Sequence, residues 1–285
     1  MIRELLPDEF PPLLREIPDA PKHLRCEGTL PKEGNRLLAV VGSRKYSGYG
    51  REMCEQLIAG LAHEPITIVS GLALGIDSIA HRAALRHGLQ TIAIPGSGLD
   101  RRVIHPRSHA NLADEIVENG GALLSEYNDT MPSGAWAFPR RNRIMAGMCH
   151  ATIVIEAEKK SGTLITSRLA TEYNREVGCI PGPATSPTSD GPHMLIRLGA
   201  ALIRDHNDVL ELLGLKRKDE NPTLVDIDDL SEEEKIFIKL LEKSYTRDEL
   251  IRKSRIDTGS ANAVLSLLEI KGLITEELGE VRKIF

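Results

Sequence analysis

No stretch of the 285-residue chain is apolar for long enough to cross a bilayer. The opening MIRELLPDEF is neither a signal peptide nor a transit sequence, so no membrane role is expected. A dominant charge is missing too: 36 Lys+Arg against 41 Asp+Glu leave a net charge of −5. No global field therefore advertises a polyanion, and any nucleic-acid site has to be a local patch. Cys26, Cys54, Cys149 and Cys179 are scattered, with no C-x-x-C, which fits reduced thiols in a cytoplasmic protein. There is no G-x-x-x-x-G-K-[ST], hence no nucleoside-triphosphatase loop. The first strand–helix turn lacks G-x-G-x-x-G, against a nicotinamide or flavin dinucleotide. His105 and His109 stand four apart, as helical zinc ligands do, but no third ligand follows at a telling spacing. Neither a metal nor a cofactor is expected.

What is present suits a soluble protein: 41% hydrophobic and 27% charged residues, in strands that alternate with helices. Short apolar runs at 37–41, 66–69, 91–94, 122–125, 151–155 and 177–180 predict buried strands. Helices are predicted at 48–62, from about 75, at 106–118 and at 164–174, and a last helix and strand at about 191–203. The alternation argues for a mostly parallel sheet covered on both faces, an α/β doubly wound, Rossmann-like domain over 36–213. Proline-punctuated residues 1–35 predict an irregular leader packed on it.

Chemistry concentrates in 138–166. Phe138 and Pro139 suit a helix entry. Arg140, Arg141, Asn142 and Arg143 then crowd the first turn, Arg140 and Arg143 on a shared face. Cations there oppose the helix macrodipole, so a partner is their expected reason; the bland alternative is pairing with acids such as Glu156 and Glu158. Four strands run out into small-residue turns: Gly42-Ser43 with Arg44 behind it, Ser70-Gly71, Gly96-Ser97-Gly98 and Ser161-Gly162-Thr163. Each turn alone could be steric. Together, at the carboxyl ends of parallel strands, they predict a crevice for phosphate and base. Asp77 and His81 read as helix-capping or packing residues, a share in the site being the alternative.

Composition shifts after Leu213. Residues 214–229 hold KRKDENP and a run of acids and read as a hydrated linker. In 230–285, Ser231-Glu232-Glu233-Glu234 offers a capping box. Helices at 247–253 and 259–271 follow, and 273–275 can pair with 281–285 as a wing. This predicts a small winged-helix domain. Its recognition helix, SANAVLSLLEIK, is poor in basic side chains, so partner docking or regulation is expected of it ahead of DNA contact.

The ordered motifs AVVGSRKYSGYG, SGLALGIDSIAHRAAL, GSGLD, LLSEY, FPRRNRIMAG, IVIEA, SGTLITSRLA, IPGPA and LIRLGA resemble the DNA-processing protein family called DprA or Smf. The resemblance runs over nearly the whole chain from about Phe10, and the tail is similar to the winged helix that ends many members. It implies an extended Rossmann fold that binds single-stranded DNA, dimerises, and loads RecA recombinase onto incoming strands during natural transformation, without catalysis. It maps Arg44 onto an arginine that grips DNA and sets Arg107 near a basic position. Phe138, Tyr46 or Tyr49 are the expected base stackers. Dimer contacts fall near Leu195, Ile196, Leu198, Leu202 and Ile203, an apolar set fit for a symmetric patch. HPRSH departs from the usual tyrosine–proline start, and too few residues precede Leu37 for the sterile-alpha-motif-like domain of many relatives.

Two rival readings use the same superfamily. Nucleoside-monophosphate phosphoribohydrolases carry P-G-G-x-G-T and a glutamate three residues on. Here the run is Glu158-Lys159-Lys160-Ser161-Gly162-Thr163, and the glutamate position is Thr166. A nucleotide-sensing regulator would instead bind a mononucleotide tightly and ignore oligomers.

Overall fold

The computed structural model describes residues 1–215, 230–241, 243–271, 273–277 and 279–283. It divides into two compact units, Met1–Leu215 and Lys216–Phe285. Apart from Gly214 and Leu215, the expected linker lies outside the described residues.

In the first unit the apolar runs become β3 (Arg36–Val41), β4 (Ile66–Ser70), β5 (Thr91–Ala93), β6 (Ala122–Ser125), β7 (Ala151–Val154) and β8 (Glu176–Cys179). With β9 (Ala201–Leu202) they run parallel. Helices α1 (Gly48–Gly60), α2 (Ile76–Arg86), α3 (Ala110–Glu118), α4 (Ala137–Met148), α5 (Thr163–Glu172) and α6 (Asp190–Arg197) connect them. β3 shows why the runs are apolar throughout. Leu37, Ala39 and Val41 join the core formed with α4, whereas Leu38 and Val40 join the core formed with α1 and α2. Side chains alternate across a strand, so a sheet covered on both faces needs apolar residues at every position.

The leader corrects one expectation. It contributes β1 (Arg3–Leu5) and β2 (Leu24–Gly28), and β2 pairs antiparallel with β6. The sheet therefore has nine strands, in the order β1-β2-β6-β5-β4-β3-β7-β8-β9. Phe10, Leu14 and Ile17, between the two strands, are buried in the main core. A further helix, α7 (His206–Leu212), closes the unit, its first N–H groups taken by the Asp205 carboxylate. The expected dimer patch is also revised. Leu198 and Leu202 are 77% and 46% exposed and Leu195 and Ile196 half-buried, but Ile203 is fully buried in the core and has no surface to offer.

The second unit contains α8 (Glu232–Leu240), β10 (Tyr245–Thr246), α9 (Arg247–Ser254), α10 (Thr258–Ile270), β11 (Ile274–Glu277) and β12 (Glu280–Lys283). Ser231 and Glu234 form the capping box at 3.2 and 2.9 Å. β12 pairs with both β10 and β11, and Phe237, Leu250, Leu265 and Leu268 fill the core. Among the described residues no helix is long and apolar enough to cross a membrane.

Candidate nucleic-acid interface

The chain lays β3, β4, β5 and β6 toward one edge of the sheet, then crosses back to lay β7, β8 and β9 toward the other. The turns leaving the neighbours β3 and β7 therefore diverge, and a crevice opens beyond their carboxyl ends. A cavity of about 480 Å³ occupies it. Gly42, Ser43, Arg44 and Lys45 line it from β3, and Glu158, Lys160, Ser161, Gly162 and Thr163 from beyond β7. The start of α4 supplies Phe138, Arg141, Asn142 and Met145, which recur at helical spacing.

Short hydrogen bonds set both turns. Ser43 Oγ donates to Lys45 O at 2.7 Å and accepts from Lys45 N–H at 3.0 Å, a local Ser turn that turns Arg44 outward. Ser161 Oγ accepts from Thr163 N–H at 3.2 Å, and Thr163 Oγ1 donates to Gly42 O at 3.1 Å, tying the two turns together. Behind them, the buried Glu156 carboxylate accepts from Ser47 N–H and Oγ and from Thr188 Oγ1 at 2.7–2.8 Å. Glu156 is thus spent on one backbone N–H and two hydroxyls and is no partner of the arginines.

Charge on the rim is one-sided. Arg44, Lys45 and Lys160 are exposed cavity-lining cations, and Glu158 is the one exposed acid facing them among the described residues. The Arg44 guanidinium lies over the Phe138 ring, 5.3 Å from its centroid, an arrangement that leaves its donors unspent. Deeper, Asp77 and Arg141 are both buried. Burial pushes the Asp77 carboxyl above its ordinary range while the Arg141 charge opposes the rise. Burial likewise lowers the Arg141 pKa, and Asp77 opposes that. The pair largely cancels, so the field at the mouth comes from the exposed cations.

The other small-residue turns have a different fate. Ser70, Gly71, Gly96, Ser97 and Gly98 are all buried and do not line the cavity. Ser70 Oγ donates to Val40 O at 2.6 Å and Ser97 Oγ to Gly98 O at 2.9 Å. Gly71 is small because a Cβ there would collide with the Arg141 guanidinium, and at Gly96 a Cβ would sit 2.6 Å from Phe138 Cδ1. Against the expectation of direct contact with a ligand, all five are enclosed in the protein, and Gly71 and Gly96 make room for α4 side chains that do line the cavity.

The arginine cluster separates in the same way. Arg141 Nη1 donates to Ile94 O inside the protein. Arg143, also buried, donates to Asp19 O and pairs with Glu126. Only Arg140 is exposed. A partner outside the chain is therefore not what explains Arg141 and Arg143. Arg107 is exposed on a short 3-10 turn, and His105, two residues before it, has its ring 6.3 Å from that of Phe138. His109 is buried, with Nδ1 2.8 Å from Leu72 O. Tyr49 donates to Pro181 O, and neither it nor Tyr46 lines the cavity. His81 packs inside, its Nδ1 2.8 Å from Thr91 Oγ1, whereas Asp77 reaches the cavity floor. Lys45 and Lys160 were not among the residues singled out from sequence, although each directly adjoins one, Arg44 and Ser161.

The model of the DNA recombination-mediator protein A family matches residues 3–214, the span of the first unit. The chain is 46% identical to protein Smf of Escherichia coli K12 over 204 residues, 72% of this chain but only 54%, about half, of that protein. It is 46% identical to DNA processing protein DprA of Streptococcus pneumoniae R6 over 206 residues, 72% of each. The X-ray structure of S. pneumoniae DprA superposes with a TM-score of 0.69 at 42% identity, over 74% of both chains. A structure of Helicobacter pylori DprA, described for its single-stranded DNA binding mode, gives 0.66 at 29% identity, over 75% of this chain and 95% of that one. The chain belongs to the DNA recombination-mediator protein A family.

Proposed function

We propose that this protein binds single-stranded DNA along the crevice at the carboxyl ends of β3 and β7 and helps load RecA recombinase onto the strand during natural transformation. The observation that carries the reading is the excess of exposed cation at the cavity mouth, Arg44, Lys45 and Lys160 against Glu158, beside the Phe138 ring. Phosphates meet the cations while a base meets the ring. A duplex hides its base faces and fits this mouth less well. The single-stranded DNA binding described for the H. pylori relative supports the same reading.

No catalysis and no cofactor belong to it. Thr166 lines the cavity where a phosphoribohydrolase would hold its glutamate, and the buried acid Asp77 is opposed by Arg141. The protein works in the cytoplasm as a homodimer. Its dimer face is the apolar depression of about 640 Å³ that includes Ile165, Met194, Leu195 and Leu198. Leu198→Glu should yield monomers in light scattering with an unchanged melting temperature; a dimer in that variant contradicts this face. The C-terminal unit docks a protein partner: α10 carries no lysine or arginine, and Arg247 beside it is held by Asn262 and Glu276.

Fluorescence anisotropy with single-stranded and duplex oligonucleotides of equal length tests the binding reading. Single strands should bind more tightly, each phosphate contact adding roughly 0.7 to the negative log–log salt slope. Equal affinity for duplex, or indifference to salt, contradicts it.

A further inference from the structure

The opening of α4 has two faces. At 100° per residue, Phe138, Arg141, Asn142 and Met145 share one side, and all four line the cavity. Trp136, Pro139, Arg140 and Arg143 share the other. The last three line a separate depression of about 680 Å³, to which the leader adds Lys22 and His23. Two acids also line it, Asp19 and Glu126, and they share one arginine. Arg143 pairs with each of them, and the Tyr173 hydroxyl donates to Asp19 at 2.7 Å. Arg140 and Lys22 are exposed and form no ion pair among the described residues. Trp136 is 54% exposed and is held against Tyr127 in an edge-on contact, ring centroids 5.4 Å apart. The depression thus holds three cations, Lys22, Arg140 and Arg143, against two acids, and the exposed indole shares the helix face of Arg140.

We propose that the DNA strand leaves the cavity across the first turn of α4, where Trp136 stacks on a base and Arg140 and Lys22 hold backbone phosphates. His23 adds a hydrogen-bonding group beside them. The path rests on the single-stranded DNA reading above. A helix is about 10–12 Å across with its side chains, so a continuous strand spans the two faces in a few nucleotides. Arginine and lysine at this second face match a backbone that repeats its charge at every step, and the indole accepts any base.

Trp136 is the only tryptophan in the chain, so its emission in the wild-type protein reads the contact directly. The test compares a thymidine dinucleotide, which the cavity alone can hold, with an oligothymidylate of roughly 12 nucleotides. The longer strand should quench tryptophan emission and the dinucleotide should not. By anisotropy of the labelled longer strand, Trp136→Ala should weaken binding about tenfold, and Trp136→Phe should restore most of it. Competition by the dinucleotide should be unchanged in both variants. Replacing Lys22 and Arg140 by alanine should lower the salt slope by about 0.7 for each lost contact. If the longer strand binds with emission unchanged and Trp136→Ala costs nothing, the exit lies elsewhere and the crevice reading stands. If Trp136→Ala weakens both lengths equally, Trp136 belongs to the cavity and the path is wrong. If neither length binds the wild type, the crevice reading fails and the path fails with it.

Discussion

Four turns of similar composition stand at the carboxyl ends of neighbouring strands, and only two of them are open. Gly42–Lys45 after β3 and Glu158–Thr163 beyond β7 border a cavity. Ser70–Gly71 after β4 and Gly96–Gly98 after β5 are buried, Gly71 against Arg141, Gly96 against Phe138 and Gly98 against the backbone at Asn128 and Asp129. Glycine and serine serve opposite ends in the two pairs. In the open pair they leave backbone and cations accessible, and in the closed pair they let α4 press its side chains onto the sheet. Strand order decides which is which, since the reversal between β3 and β7 is the one place where the connections part. The same division separates Arg44, stacked on a ring and facing outward, from Arg141 and Arg143, which hold the fold together.

The closed half should respond to mutation through stability, the open half through affinity. The largest effect is expected at Arg141. Arg141→Ala leaves the buried Asp77 without its opposing charge and Ile94 O without its donor, and should cost about 3–5 kcal/mol in urea unfolding. A normal unfolding curve with lost DNA binding would instead make Arg141 a ligand contact and dissolve the comparison.

A smaller effect is expected at His81 and depends on pH. Burial, helped by the charges of His109 and Arg141, pushes its pKa down to about 3. The folded protein therefore keeps this imidazole neutral below pH 6.5, where the unfolded chain takes up a proton. Its contribution to stability is complete above the unfolded value and drains away as pH falls from there toward the folded value. The slope is about 1.4 kcal/mol per pH unit at most, or about 2–3 kcal/mol by roughly pH 4.5. His81→Asn should flatten that part of the melting temperature–pH curve; an unchanged acid slope contradicts it.

The smallest effect belongs to the rim. Lys45→Ala with Lys160→Ala should leave melting unchanged and reduce the single-strand salt slope by about 0.7 per lost contact. A wild-type slope would remove these lysines from the interface.

Much of the parallel sheet was legible, because strands covered on both faces have to be apolar at every position, as β3 is. The leader strands were not. Only Leu5, Leu24 and Cys26 point into the core, and the intervening prolines read as loop. Helix α7 was also missed, although the Asp205 cap before it was visible in sequence. In the site, small-residue turns showed where strands end but not which turns stay open, since that depends on strand order. The arginine cluster misled for a related reason. The partners of Arg143 are Asp19, 124 residues away, and Glu126, on the preceding strand–helix connection, and no local pattern names them.

The most direct test sets one residue from each half side by side. Single-strand affinity and melting temperature are measured for Arg44→Ala, from the open turn, and Ser97→Ala, from the closed one. Arg44→Ala should lose about 1.5–3 kcal/mol of binding, tenfold or more, with melting little changed, and Arg44→Lys should recover only part because the planar fork is gone. Ser97→Ala should bind normally even where it melts earlier. Normal binding by Arg44→Ala, or an equal loss in Ser97→Ala, would contradict the division of the crevice into an open, DNA-gripping half and a closed, structural one.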